Sequence, residues 1–232
     1  MKSLLIIPAY NEEGSLKSTI DSLSGLSLDV DFLVVNDGSK DATVKVCREN
    51  KYPFLDLPTN LGLAGALQAG MKYAYRHGYD CVIQFDADGQ HLPEYIKPLE
   101  KAIETCDIAI GSRFVDKKKP VSMRMLGSNL ISVAIKITTG TTLKDPTSGM
   151  RAFNKRMIKQ FALGLNFGPE PDTVSYLIKR ANAKVTEVPV EMAERTAGES
   201  YLNFWTSITY MLRMTISILF IQLIRKRIDG GN

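Results

Sequence analysis

Short apolar runs alternate with amphipathic stretches along most of the chain, and the spacing switches between the period of a strand and that of a helix. The runs fall at residues 4–7, 32–35, 81–85 and 108–110, and the helix-like stretches at 16–23, 42–48, 65–76 and 93–104. Pro93 with an early Glu94 suits the first turn of the last of these helices. This alternation predicts an α/β domain with a mostly parallel sheet and helices on its faces. The 232 residues suffice for one such core, here expected over residues 1–202, with a short helical appendage over 203–232. The sequence contains no internal repeat or low-complexity tract.

Three of the four apolar runs lead into polar or acidic clusters: Pro8-Ala9-Tyr10-Asn11-Glu12-Glu13, Asn36-Asp37-Gly38-Ser39 and Asp86-Ala87-Asp88-Gly89-Gln90. Ligands of an open α/β sheet bind outside the carboxyl ends of its strands, so the clusters are expected to line one crevice. Taken singly, each also reads as an ordinary Asp/Asn/Gly turn.

Asp86 and Asp88 put two like charges one residue apart after an apolar strand, a costly arrangement unless a cation neutralises them. Carboxylate oxygens suit Mg²⁺ or Mn²⁺, which complete their shells with water and substrate phosphates, and Gln90 and His91 follow closely enough to contribute. A diphosphate leaving group follows from that chemistry. Asp37 is placed to accept hydrogen bonds from a base or ribose, with Tyr10 and Glu12 beside the same nucleoside. The loop Asn60-Leu61-Gly62-Leu63-Ala64-Gly65 precedes a helix but matches neither the dinucleotide fingerprint nor a Walker loop.

Composition adds little. Hydrophobic residues at 44% and charged residues at 23% are ordinary globular usage, and a net charge of +4 does not call for nucleic acid. Cys47, Cys81 and Cys106 lack disulfide or zinc spacing, which fits a reducing cytosol. The apolar run ending at Pro8 is too short for the core of a signal peptide.

In this order, the clusters at 8–13, 36–39 and 86–91, with Asn60-Leu61-Gly62 between them, resemble the family 2 glycosyltransferases of GT-A fold, whose sheet is Rossmann-like. Gly111-Ser112-Arg113-Phe114, Asp145-Pro146-Thr147-Ser148-Gly149-Met150-Arg151 and the segment from Glu194 to Ser200 resemble the branch of dolichyl-phosphate mannose synthases and bacterial polyprenyl-phosphate glycosyltransferases. The resemblance implies inverting transfer from a UDP- or GDP-sugar to polyprenyl phosphate. It implies metal at Asp86, Asp88 and Gln90, and nucleotide at Pro8, Tyr10, Glu12, Asp37 and Asp86. Arg113, Arg124, Ser128 and Arg151 match positions that engage the lipid phosphate, and Arg195 matches one near the donor diphosphate. Arginine forks suit phosphate oxygens. Tyr201 follows Ser200 where the branch often has a lysine, so Arg195 lacks that support.

A phosphate monoester has a second pKa near ~6 and can attack without losing a proton, whereas a sugar hydroxyl needs a base. Asp145 is the candidate base; its alternative role is to position a basic neighbour, Arg151 or Lys144. Two other readings remain: transfer to a sugar hydroxyl of a surface polysaccharide, and a non-catalytic nucleotide-sugar-binding subunit.

Residues 203–224 read as a helix with Asn203, Thr206, Tyr210, Arg213 and Ser217 along one side and apolar residues on the other. Arg213 near the middle argues against spanning a bilayer, and Arg225-Lys226-Arg227 suits anionic headgroups. The helix is expected to lie on the inner face of the membrane, to dock on a small membrane-embedded partner subunit, or to self-associate.

Overall fold

The computed structural model describes residues 1–24, 29–120, 122–164, 167–193 and 204–224. Its elements run β1 (Ser3–Ala9), α1 (Leu16–Ser24), β2 (Asp31–Asn36), α2 (Thr43–Glu49), β3 (Phe54–Asp56), α3 (Gly62–Arg76) and β4 (Cys81–Gln84). After a short 3₁₀ turn follow α4 (Ile96–Ile103), β5 (Ile108–Ser112), α5 (Met123–Thr139), β6 (Arg151–Asn154), α6 (Lys155–Leu163), α7 (Pro171–Ala181), β7 (Val185–Pro189) and α8 (Phe204–Ile224). The strands form a single seven-stranded sheet in the order β3-β2-β1-β4-β6-β5-β7.

β1 lies at the centre of the parallel half, between β2 and β4. Its successive side chains feed opposite faces, as the two-residue period of a strand requires. Leu4 and Ile6 join Leu67 and Met71 of α3 in one core layer. Leu5 and Ile7 join Leu16 and Ile20 of α1 and Leu99 of α4 in the other. The strand continues through Pro8, which lacks an N–H. Its register with β4 ends at Ile6, so no ladder bond is missed there.

The mostly parallel sheet is as expected, but it holds three strands that the apolar pattern leaves out. β3 is a three-residue edge strand, and β7 an edge strand with only one buried residue. β6 runs antiparallel to both β4 and β5, with Arg151 opposite Gln84 on one side and Ile110 on the other. Its residues Arg-Ala-Phe-Asn carry no apolar run, although the strand is central and largely buried. Because β6 is reversed, the turn that precedes it emerges at the same edge as the carboxyl ends of β1, β2, β4 and β5.

α5, which the pattern also misses, starts on a Ser122 side chain that accepts the Met125 N–H and stops at Gly140 in the left-handed region. α8 packs on α5 and α7 through Met211, Met214 and Ile218. Among the described residues no helix is long and apolar enough to cross a membrane. The three thiols are free and buried, and burial pushes Cys47 up to about 11 and Cys81 to about 12.

Gly70 of α3 lies directly against β1: a Cβ there would come within 2.6 Å of Ile6 Cδ1. Gly70→Val is expected to cost about 1–3 kcal/mol by overpacking, read as a lower denaturant midpoint at unchanged slope.

Candidate active site

The loops after β1 and β2 are clasped together by polar side chains. Asn11, at φ +58°, donates its N–H to Ser39 Oγ at 2.9 Å, and Lys40 N–H returns a bond to Asn11 Oδ1 at 2.8 Å. Glu12 N–H donates to Thr43 Oγ1 at 2.9 Å, and Glu13 Oε2 accepts the Ala42 N–H at 2.7 Å. Glu13 therefore serves the start of α2. The Glu12 carboxylate accepts from Ser15 Oγ.

Asp37 is buried, and its Oδ1 accepts the Leu61 N–H at 2.7 Å, which ties the 60–62 loop to the end of β2. Gly38 is required beside it, because at φ +68° a Cβ would sit 2.7 Å from Asn60 N. These loops and the β4 tip enclose a cavity of about 670 Å³ that brings together Pro8, Tyr10, Glu12, Asp37, Asp86 and Asp88.

At the β4 tip, Asp86 Oδ1 accepts from Gln84 Nε2 at 3.1 Å, and Asp86 N–H donates to His91 Nδ1 at 2.9 Å. That bond assigns the ring proton of His91 to Nε2, which lies 3.5 Å from Asp86 Oδ2. His91 is buried edge-on against Phe85, so it braces the aspartate instead of merely opening the next helix. Asp88 Oδ1 accepts the Gln90 N–H at 3.0 Å. Gly149 closes the other side: a Cβ there would approach Asp86 Oδ2 to 2.8 Å.

No group of three or more His, Cys, Asp and Glu converges among the described residues. Two carboxylates with a neighbouring amide, opening on a cavity with the Asp86 side chain 33% exposed, fit a hard divalent ion that takes its remaining ligands from phosphate and water.

A second polar cluster lies at the ends of β5 and β6. Asp145 is wholly buried and grips Arg113 side-on, with Nε at 2.7 Å from Oδ2 and Nη2 at 2.9 Å from Oδ1. The Nη1 edge of the fork is left turned away from the carboxylate. Glu187 of β7 holds this turn through the Lys144 and Asp145 N–H groups at 2.7 and 2.6 Å. Asp145 thus positions Arg113, not Arg151 or Lys144.

Lys119 Nζ donates to Ser128 Oγ at 3.2 Å and Asn129 Oδ1 at 2.8 Å, and both Lys119 and Arg113 stand over the Phe114 ring. Burial pulls Lys119 below the usual lysine range, although Asp145 and Glu187 oppose that shift.

Arg151 occupies a different environment. It is 1% exposed, and its Nε and Nη2 donate to the carbonyls of Ser148 and Pro146 at 2.8 and 2.7 Å. This geometry braces a turn and presents no open fork to the cavity. The Arg124 side chain and all of Arg195 lie outside the described residues.

The glycosyl transferase family 2 model matches residues 4–161, which include the polar clusters of both sites apart from Glu187. The chain belongs to glycosyltransferase family 2. Among family members it is 34% identical over 216 residues to the undecaprenyl-phosphate mannosyltransferase of Micrococcus luteus, covering 88% of each chain. It is 35% identical over 227 residues to the dolichol-phosphate mannosyltransferase of Pyrococcus furiosus, covering 91% of this chain and 62% of that one. Glucosyl-3-phosphoglycerate synthase of Mycobacterium tuberculosis, solved with Mn²⁺, UDP and phosphoglyceric acid, superposes with a TM-score of 0.68 at 18% identity over 99% of this chain and 80% of that one. The sheet and its flanking helices therefore form a GT-A fold.

Sequence reasoning misses Lys119, hidden in an undifferentiated lysine run, and Glu187, which lies on an edge strand with no motif around it. Neither position carries a local signal, because each is given its role by a contact with a distant segment.

Asp145→Asn should cost about 2–3 kcal/mol in denaturant unfolding, less than a fully buried pair because Arg113 keeps 26% exposure. An unchanged midpoint would show that the pair holds nothing together.

Proposed function

We propose that this glycosyltransferase moves a hexose from a UDP- or GDP-sugar to polyprenyl phosphate at the inner face of the membrane, with inversion at the anomeric carbon. The relatives named for transfer to undecaprenyl or dolichol phosphate support the acceptor class. The observation that carries the reading is the commitment of Asp145. Both its oxygens are bound by Arg113, so this candidate base is engaged, and Arg113 and Lys119 supply cationic donors suited to an anionic acceptor. A sugar hydroxyl requires a base; a phosphate dianion, populated above a pKa of about 6, does not.

In this mechanism Pro8, Tyr10, Glu12 and Asp37 hold the nucleoside in the 670 Å³ cavity. Asp86 and Asp88, with Gln90, would hold Mg²⁺ or Mn²⁺, and such an ion would offset the charge that develops on the leaving diphosphate. The Nη1 edge of Arg113, with Lys119, Ser128 and Arg124, orients the lipid phosphate so that one oxygen faces the anomeric carbon. That oxygen forms the new bond, and the electron pair of the old one departs with the nucleoside diphosphate. Arg151 acts indirectly, by fixing the turn that carries Asp145 and Gly149. Arg195 completes the donor side.

Incubation with labelled UDP- or GDP-hexose, Mn²⁺ and either polyprenyl phosphate or a saccharide should give labelled lipid only. Product should vanish with EDTA or in Asp88→Ala; labelling of the saccharide alone would overturn the acceptor assignment.

Lys119 gives a pH signature. A lysine whose pKa is depressed is charged below that value and neutral above it, so the acceptor KM should rise as pH climbs through a range where a solvated lysine is still charged. In Lys119→Arg the rise should disappear, because guanidinium stays charged. A KM profile unchanged by the substitution would remove Lys119 from the acceptor site.

A further inference from the structure

A second cavity, of about 650 Å³, lies on the other side of the first turns of α3. Gly62, Leu63 and Ala66 line the 670 Å³ cavity, whereas Leu61, Ala64 and Gly65 line this one, so one stretch of helix is the wall between them. A helix is about 10 Å across with its side chains, and the wall is thinner here because Gly62, Ala64, Gly65 and Ala66 carry almost none. The opposite wall comes from the start of α7 and from α8, with Glu170, Tyr210 and Arg213. α3 follows β3, and α7 leads into β7, which is parallel to β5, so both helices begin at the carboxyl edge of the sheet that carries Asp86 and Asp88.

The polar groups of this cavity are unequally committed. Asp172 has both oxygens engaged, Oδ1 by the Thr173 N–H at 2.7 Å and Oδ2 by the Ser217 hydroxyl at 2.6 Å. Gln68 gives its Nε2 hydrogens to the Phe161 and Gly164 carbonyls at 3.2 and 2.7 Å, which leaves Oε1 to accept. Glu170 is half-buried, and among the described residues its own N–H is the hydrogen-bond donor that acts on its carboxylate. Gly168 makes room for that carboxylate: a Cβ there would meet Glu170 Oε2 at 2.1 Å and Ala64 Cβ at 2.7 Å. Glu170 is therefore wedged against the α3 wall. Burial raises its pKa above the usual carboxylate range, the mark of a charge short of partners.

Arg151 ties this cavity to the reaction centre. Its buried guanidinium lies within electrostatic reach of Tyr210, Glu170, Asp145 and Asp86 together. The second cavity is thus a neighbour of both the Asp86 carboxylate and the Asp145–Arg113 pair.

The lining selects among ligand chemistries. A phosphate would meet two carboxylates, Glu170 and Asp172, against the single Arg213. An isoprenoid chain would bury Glu170 and Gln68 Oε1 without partners. A pyranose satisfies both kinds of group: its hydroxyls donate to the Glu170 and Gln68 oxygens and accept from Tyr210 and Arg213, while its C–H face packs on Leu61 and Phe167.

Resting on the nucleotide-sugar reading above, we propose that this second cavity receives the hexose of the donor, and that Glu170, Gln68, Tyr210 and Arg213 select which hexose is transferred. With the nucleoside in the 670 Å³ cavity and the diphosphate at Asp86 and Asp88, the hexose lies past the first turns of α3, beside Arg151. α8 thereby contributes to donor choice from a part of the chain remote from the nucleoside.

The test compares nucleotides with and without the sugar. Binding of UDP, GDP and the epimeric pairs UDP-glucose/UDP-galactose and GDP-mannose/GDP-glucose is measured by calorimetry with Mn²⁺, beside initial rates of transfer to polyprenyl phosphate. In Glu170→Gln the free nucleoside diphosphate should bind as in the wild type and the acceptor KM should hold. The preferred nucleotide hexose should bind roughly 10-fold more weakly, and its kcat/KM advantage over its epimer should fall roughly 10- to 100-fold. Arg213→Ala should act in the same direction but less, because Arg213 is exposed. Should Glu170→Gln fail to fold, Tyr210→Phe, which keeps the ring and removes only the hydroxyl, carries the same comparison.

Equal losses for nucleoside diphosphate and nucleotide hexose, or no loss for either, overturn the proposal. So does a raised acceptor KM with donor binding intact, since the cavity would then belong to the lipid. A wild type that distinguishes hexose donors through Glu170 yet labels no polyprenyl phosphate would sink the acceptor reading and leave the hexose subsite standing. Absence of any nucleotide binding by the wild type overturns both.

Discussion

Arg151 enters the sheet as a buried cation between Gln84 and Ile110, with its guanidinium tied to the carbonyls of Pro146 and Ser148. A charge in that position is expensive unless hydrogen-bonded, and the carbonyls of the preceding turn satisfy Nε and Nη2 while Nη1 has no hydrogen-bond partner among the described residues. The side chain thereby fixes the shape of residues 145–149. From that turn Asp145 reaches Arg113, and Gly149 lies against the Asp86 carboxylate. The Asp86 site and the Asp145–Arg113 cluster are thus held relative to each other by one reversed strand and the arginine that opens it.

The aspartates at the β4 tip depend on that arrangement. Two carboxylates so near each other repel, and each accepts a hydrogen bond from a neighbouring dipole: Gln84 Nε2 on Asp86 and the Gln90 N–H on Asp88. His91 adds a brace through the Asp86 backbone. The cluster proposed for the acceptor is built differently, since Arg113 is already paired and Lys119 is partly desolvated. An anion arriving there meets pre-ordered donors and needs little reorganisation, the condition under which electrostatic stabilisation is most effective.

α5 links this chemistry to the surface. Its first turns carry Ser128 to Lys119, and its later turns carry the exposed Leu130, Val133 and Ile137. A helix is rigid over this length, so the orientation of those residues and the position of Ser128 cannot be adjusted independently. The Ser217–Asp172 bond, beside the buried Met211, Met214 and Ile218, fixes the rotation of α8 on the domain.

By itself the sequence determined the parallel half of the fold and the gathering of its polar clusters around one cavity. Four apolar runs ending in Asp, Asn and Glu clusters are local signals, and parallel strands place their ends at one edge whatever the rest of the chain does. β6 was not legible, because a central strand of Arg-Ala-Phe-Asn has no period to read and is identified only by the strands on either side of it. The work of Asp145 was undecided for the same reason: an aspartate can serve as base or brace, and only the fold brought Arg113 within 2.7 Å. Likewise the residues of α8 announced an amphipathic helix, but which side faces the protein was settled by Asp172, 45 residues away. Periodicity lies in neighbouring residues and survives in the bare sequence; the pairing of distant charges exists only once the chain has closed on itself.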